Sequence, residues 1–365
     1  MGYTKLAGIQ WKEKEHQLLE EMNEGNPFLD INLSLIPFIA KLLKSPLSPE
    51  DLPVLKLSLS GIVNTMNRSH YDKVKPYITR SNHEDRLDEL VTSFRTRGLH
   101  QDSHDLLDKI NTKLSNSNVE ETLMLIDELK RPFLEKSGRT HQGYRVLKII
   151  TVGIHGITYE IFRWTQIKLV DGEHTSDCTQ SVRQYNEIVY GENATGTLLG
   201  RKVDLLIKSG PKDIELSSIE IKKPLTSPGL ALEQQCKNLR TNGAILGHLQ
   251  ALNSAKDFDH IVAMDWIGMV GYMMYLLIDV EGVYYGKILG ILRLRKAPKD
   301  FVEFKATSNL LFAYQHNILN IAIEAQSAMD IRQDLDRLCE LIDTQDEVDS
   351  CPRHNIFFTP HRTKK

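Results

Sequence analysis

The chain reads as an α/β protein: a central mixed sheet flanked by helices, preceded by an N-terminal all-helical lobe. Three observations predict this. Apolar residues recur at helical spacing up to about residue 140. Two short strand-like segments follow, 200–207 and 214–222, separated by a turn at Gly210-Pro211. A helical stretch over 230–252 then gives way to near-continuous apolar runs between 260 and 295, the pattern of buried strands. The expected divisions are a helical lobe over 1–140, an α/β core over 141–330, and the end of a last helix with a basic tail over 331–365.

In the first division, 35–43 and 55–66 have helical periodicity, and the proline-marked turn at 45–51 offers Ser45 or Ser48 as a cap for the next helix. The pattern continues through 87–94, 106–114 and 119–129, with no strand signal anywhere before 140. This lobe reads as a scaffold or a surface for a protein partner. The mostly apolar stretch 144–168 is expected to be helical despite Gly153 and Gly156. The segment 171–180 is polar and loop-like, and 181–190 leads into a turn-rich stretch at 191–196.

Beyond Lys223-Pro224 the helix over 230–252 carries a polar set: Gln234, Gln235, Lys237, Asn238, Arg240 and Asn242. Lys237 and Arg240 are three apart and are expected to share a face. Strands are expected over 260–266, 270–279 and 283–292, with a hairpin connection at 279–282. Trp266, Tyr272, Tyr275, Tyr284 and Tyr285 belong to the core on this reading, with base stacking as the alternative. Arg293, Arg295, Lys296 and Lys299 form a basic exit before a last helix over 301–341.

At 365 residues the chain can bury one large core or two smaller ones, and 41% hydrophobic with 25% charged residues is ordinary for a soluble globular protein. The net charge of −3 gives no global attraction to nucleic acid, so any such contact requires a local basic groove. Four widely spaced cysteines and an N-terminus with no apolar leader point to reduced thiols in the nucleus or cytoplasm. The longest apolar run, 267–278, is too short to cross a bilayer as a helix, so no membrane contact is expected.

The chemistry concentrates at Asp204 and at Glu220-Ile221-Lys222. Side chains alternate along a strand, so Glu220 and Lys222 share one face while Ile219 and Ile221 share the other. A hairpin of the two strands sets two carboxylates and an ammonium side by side, enough for metal-dependent phosphodiester hydrolysis. Glu-x-Lys also occurs at Glu128-Leu129-Lys130 and Glu303-Phe304-Lys305, both in helical patterns. Only the third copy follows an acidic strand. The alternative for the same residues is an edge hairpin whose charged face meets water. No phosphate-binding Gly-x-x-x-x-Gly-Lys loop, nucleophile elbow or His-Glu-x-x-His pair occurs. Cys339, Cys351, His354 and His361 have no common zinc spacing, so the basic tail reads as a phosphate contact, an import signal or a plain end.

The order Asp204, spacer, Glu220-Ile221-Lys222 resembles the PD-(D/E)XK nuclease superfamily, and the pattern around it looks like a fungal branch of that superfamily. The resemblance implies a restriction-endonuclease-like fold with a helix before the first core strand. It implies Mg²⁺ or Mn²⁺ held by Asp204, Glu220 and the backbone carbonyl of Ile221, with Lys222 as the catalytic lysine. A third acid often precedes the Asp strand, and Glu192, Glu187 and Glu160 are candidates in that order. The helix after Glu-x-Lys borders the site in that superfamily, which makes Lys223, Gln234, Lys237 and Arg240 candidates for nucleic-acid contact. The substrate implied is nucleic acid, DNA before RNA. The second hypothesis is a binding module on the same fold with no turnover.

Overall fold

A computed structural model of the protein describes residues 35–44, 47–48, 50–78, 83–116, 119–136, 141–150, 154–163, 165–190, 198–252, 258–268, 270–278, 283–294, 301–342 and 356–358. Within them, helices α1 (Ile36–Leu43) and α2 (Asp51–Ser58) lead into a short strand, β1 (Ile62–Asn64). Ser48 Oγ accepts a hydrogen bond from the Asp51 N–H at 3.1 Å, the capping role expected of it. Helices α3 (Arg68–Val74), α4 (His83–Arg95), α5 (Gln101–Asn116), α6 (Val119–Lys136), α7 (Gln142–Ile149) and α8 (Ile154–Phe162) follow.

The α/β region comprises β2 (Ile167–Thr175), α9 (Asp177–Tyr190), β3 (Lys202–Ser209), β4 (Glu215–Lys222), α10 (Pro228–Leu252), β5 (His260–Ile267), β6 (Val270–Ile278), β7 (Tyr284–Arg293) and α11 (Phe301–Ile342). Among the described residues seven strands form one sheet in the order β1-β7-β6-β5-β4-β3-β2. The pairs β4–β5 and β1–β7 are parallel; the other four are antiparallel. This is the mixed sheet with helical layers that the sequence predicts.

Two expectations need correcting. The stretch 55–66 is not one helix: α2 ends at Ser58, Gly61 turns the chain at φ 63°, and β1 joins the far edge of the sheet beside Tyr284–Gly286. The helical lobe therefore contributes a strand to the main sheet. The polar segment after 170 is not a loop either. Residues Ile167–Thr175 form edge strand β2 against β3, with a bulge between Asp171 and His174 where Gly172 has φ 87°. The hairpin at 279–282, and Arg295, Lys296 and Lys299, lie outside the described residues.

Consecutive residues of β4 show how the two helical layers sit. Ser217 Oγ donates to Val262 O at 2.7 Å and accepts from Tyr314 of α11, whereas Ser218 Oγ donates to Asn238 of α10 at 2.7 Å. Thus α11 covers one face and α10 the other, and both cover β4. Trp266, Tyr284 and Tyr285 are buried in this core, as expected of strand aromatics. The side chains of Tyr272 and Tyr275 lie outside the described residues.

The start of β3 is fixed by a buried carboxylate. Glu215, 2% exposed, accepts from Ser176 Oγ at 2.7 Å, from Asp177 N–H at 2.7 Å and from Cys178 N–H at 3.3 Å. It thereby satisfies the free amides at the N-terminus of α9 and sits favourably at its dipole. Gly200 lies against the same point: an added Cβ would stand 2.0 Å from Ser176 O, so only glycine fits. Ser176 N–H in turn donates to Arg201 O at 3.0 Å. Replacing Glu215 by Ala strands two amides at the start of α9 and the Ser176 hydroxyl, while Lys208 keeps its 3.1 Å contact with Asp177. The expected loss is about 3 kcal/mol of unfolding free energy, measured by urea denaturation.

Candidate metal and phosphodiester site

Asp204 and Glu220 face each other across neighbouring interior strands. The β3–β4 register runs through Leu206↔Ser218 and Leu205↔Ile219, so the next step sets Asp204 opposite Glu220. The ladder opens at that point, and the Ile221 N–H donates to Asp204 Oδ2 at 2.7 Å. On the other side of β4, the parallel register pairs Glu220 with Asp265 of β5. Three acidic residues thus occupy one row across three adjacent strands.

The charge in this row is met from α10. Glu220 is wholly buried (0% exposed), with Lys237 Nζ 2.6 Å from Oε1 and Lys222 Nζ 3.9 Å from Oε2. Burial pushes the Glu220 carboxyl above its ordinary range; Lys237 opposes that shift, Asp204 adds to it, and Lys222 opposes it. Asp265 Oδ1 accepts from Asn238 Nδ2 at 2.9 Å and from Gln234 Nε2 at 3.3 Å. Burial raises Asp265 to about 7 against the pull of those two hydrogen bonds, with Glu220 adding repulsion. Gln234 Nε2 also donates to the Glu220 carbonyl at 3.2 Å, holding the backbone of the Glu-x-Lys strand.

The edge-hairpin alternative fails on this geometry, because β4 is interior and Glu220 has no access to water. The structure brings Asp204, Glu220, Lys222, Gln234 and Lys237 together. Lys223 is exposed just past β4. Arg240 needs correcting: it does not share a surface with Lys237. It is buried, and donates Nε to Cys236 O at 3.3 Å and Nη1 to Phe357 O at 3.2 Å. The polar residues of α10 are likewise no solvated stripe; Gln234, Gln235, Asn238 and Asn242 are all buried. Of the candidate third acids, Glu160 pairs with Arg163 at 2.6 Å, the side chain of Glu187 lies outside the described residues, and so does Glu192. Cys351, His354 and His361, and the side chain of Cys339, also lie outside them.

Asp265 and Asn238 were missed as site residues. The signal for Asp265 was the one that exposed Asp204: a lone carboxylate in an apolar strand, His260-Ile261-Val262-Ala263-Met264-Asp265-Trp266. Such a group is buried beside a partner or a function.

Among the described residues no group of three or more His, Cys, Asp or Glu side chains is gathered around a single metal position. Glu220 Oε2, Gln234 Oε1 and Asp265 Oδ2 are buried acceptors without hydrogen-bond donors. Oxygen acceptors of this kind suit a hard cation such as Mg²⁺ or Mn²⁺. No described helix is long and apolar enough to cross a membrane. Comparison of the chain with family models, with characterised proteins and with solved structures finds no match in any of the three.

Asp265 makes stability depend on pH. An acid whose folded pKa is raised holds its proton more tightly when folded, so its stabilising contribution is present at low pH and is lost as pH rises toward 7. With metal chelated, unfolding free energy should fall between about pH 4 and pH 7, and Asp265→Asn should remove roughly 2 kcal/mol of that fall. Denaturant titrations across this range check it; an unchanged pH slope in the variant would show that Asp265 ionises freely.

Proposed function

We propose that the protein is a metal-dependent phosphodiesterase that cuts nucleic acid, DNA before RNA, through a PD-(D/E)XK-type site on a restriction-endonuclease-like core. The element order supports that core: helix α8, the antiparallel strands β2, β3 and β4, helix α10, and β5 parallel to β4. Helix α9 is an insertion between the first two strands. The observation that carries the reading is Glu220, an ionisable group buried mid-sheet beside Asp204, Lys222 and Lys237. A structural role explains such an arrangement poorly, because desolvating a carboxylate costs several kcal/mol that apolar packing avoids.

Asp204, Glu220 and the carbonyl of Ile221 would hold Mg²⁺ or Mn²⁺. The bound metal supplies activation of water and neutralises charge at the scissile phosphate. Lys222, whose side chain is 40% exposed, has the reach to orient the attacking water and to meet charge developing on phosphate. Gln234 fixes the strand that carries Glu220 and Lys222. Lys237 serves as countercharge to Glu220 when no metal is bound.

A second reading, a nucleic-acid-binding module without turnover, draws on that same ion pair. An ammonium 2.6 Å from Glu220 already neutralises the carboxylate that a metal requires.

Cleavage of single-stranded and duplex DNA and RNA with Mg²⁺, Mn²⁺ or EDTA separates the two. The enzyme reading expects metal-dependent cutting that falls about a thousandfold in Asp204→Asn and in Glu220→Gln. No cutting by folded protein under any of these conditions leaves the binding module. Lys237→Met removes a group that holds the Glu220 carboxyl down, so the acid limb of the pH–rate profile should move to higher pH. A profile that stays in place would take Lys237 out of the site.

A further inference from the structure

A second charged group lies next to the carboxylate row, and it is positive. Arg201 enters β3 three residues before Asp204, its N–H donating to Thr179 Oγ1 at 2.7 Å. Its guanidinium stands 5.2 Å from the centre of the Phe358 ring, and that of Arg240 stands 5.6 Å from the same ring. One aromatic side chain of the C-terminal segment therefore orients two guanidinium planes. Phe358 is itself held: Phe357 N–H donates to Ser60 Oγ at 3.0 Å, and Phe358 N–H donates to Asn186 Oδ1 at 3.3 Å.

Arg240 directs Nε and Nη1 to main-chain carbonyls, but Arg201 Nη1 is buried with no acceptor. Lys56 of α2 adjoins the same segment, since Ser60 Oγ donates to the Lys56 carbonyl at 2.8 Å and accepts from Phe357 N–H; its side chain is half-buried and, among the described residues, in no ion pair. Burial and Arg240 push Arg201 down to about 9, opposed by Glu220 and Glu233, while Arg183 adds repulsion. Burial, Arg240 and Arg201 also lower Lys56, against the pull of Glu233. The exposed Glu233 acts on all three, but among the described residues it makes no ion pair with any of them. Three desolvated cations without a paired anion are unfavourable alone, and an anion with several acceptor oxygens relieves them.

We propose that Lys56 and Arg201, with Arg240 positioned behind them by Phe358, form a phosphate-binding site for the nucleic-acid strand, taking a backbone phosphate next to the one processed at Asp204 and Glu220. This rests on the nucleic-acid reading above and adds where the strand is gripped. It also replaces the expected Lys237–Arg240 surface pair, in which Lys237 is engaged by Glu220 and Arg240 is buried.

The test is fluorescence anisotropy of a labelled DNA oligonucleotide, single-stranded and duplex, in EDTA so that cutting does not interfere. Lys56→Gln and Arg201→Gln should each weaken binding about three- to tenfold near 100 mM salt, and each should make the salt dependence of log Kd shallower by about one. Wild-type affinity and slope in both variants overturns the site, as does a wild-type protein that does not bind DNA. Thermal melting confirms folding; if Arg201→Gln does not fold, Lys56→Gln decides, since its ammonium holds nothing together. Wild-type protein that binds in this way but never cuts with Mg²⁺ or Mn²⁺ defeats the nuclease reading and leaves this site standing.

Discussion

The burial of Glu220 in the middle of the sheet is the constraint on which the rest of the structure turns. A carboxylate at 0% exposure on an interior strand requires donors or cations from whatever covers it. Helix α10 supplies them, and this dictates a helix of unusual composition. Gln234, Asn238 and Asn242 are spaced to present one line toward β4 and β5. Along it Asn238 bonds Asp265 and the Met264 carbonyl, while Asn242 accepts from the Ser218 N–H at 2.9 Å. Each amide nitrogen of this line has an acceptor, whereas Gln234 Oε1 and Asp265 Oδ2 remain without donors at the carboxylate row.

That network also explains why the N-terminal helices are not a separate body. Gln235, one residue past Gln234, accepts from Asn64 Nδ2 of β1 at 2.7 Å. The strand that Asn64 occupies is parallel to β7 at the far edge of the sheet. The helix that closes the carboxylate row thus also fixes the N-terminal strand. On the opposite face α11 seals β4 through Tyr314 and Ser217, so the site strand is covered on both sides while its C-terminal end stays open at Lys222.

The acid-bearing strands were legible because burial of an acid in an apolar strand breaks local pattern so plainly at Asp204 and Glu220. The same rule points to Asp265, and its register with Glu220 is what places it in the row. Other elements carried weaker signals. Strand β2 lies at the sheet edge, and Lys168, Asp171 and His174 along it are the polar residues an edge strand tolerates, so its sequence reads as loop. Strand β1 is three residues long, within an apolar stretch whose spacing suits a helix; Gly61 was the sole cue. The polar side of α10 misled for a physical reason. Composition tells that a helix face is polar, but whether it meets water or a buried carboxylate is decided by the strand beneath it.

Charge balance links the two chemistries considered for the site. Asp204, Glu220 and Asp265 bring three potential negative charges, against the ammoniums of Lys222 and Lys237. Neighbouring carboxylates about 5 Å apart repel by roughly 3 kcal/mol at an effective dielectric constant near 20. Burial raises Asp265, and while it keeps its proton the row opposes two other carboxyls to two ammonium side chains. Once that proton is lost the row gains a negative charge that the two lysines do not cancel. Asp265 therefore acts as the adjustable member of the row: its ionisation sets the net charge that any cation at Asp204 and Glu220 meets, while Asn238 and Gln234 hold its carboxyl in place in either state.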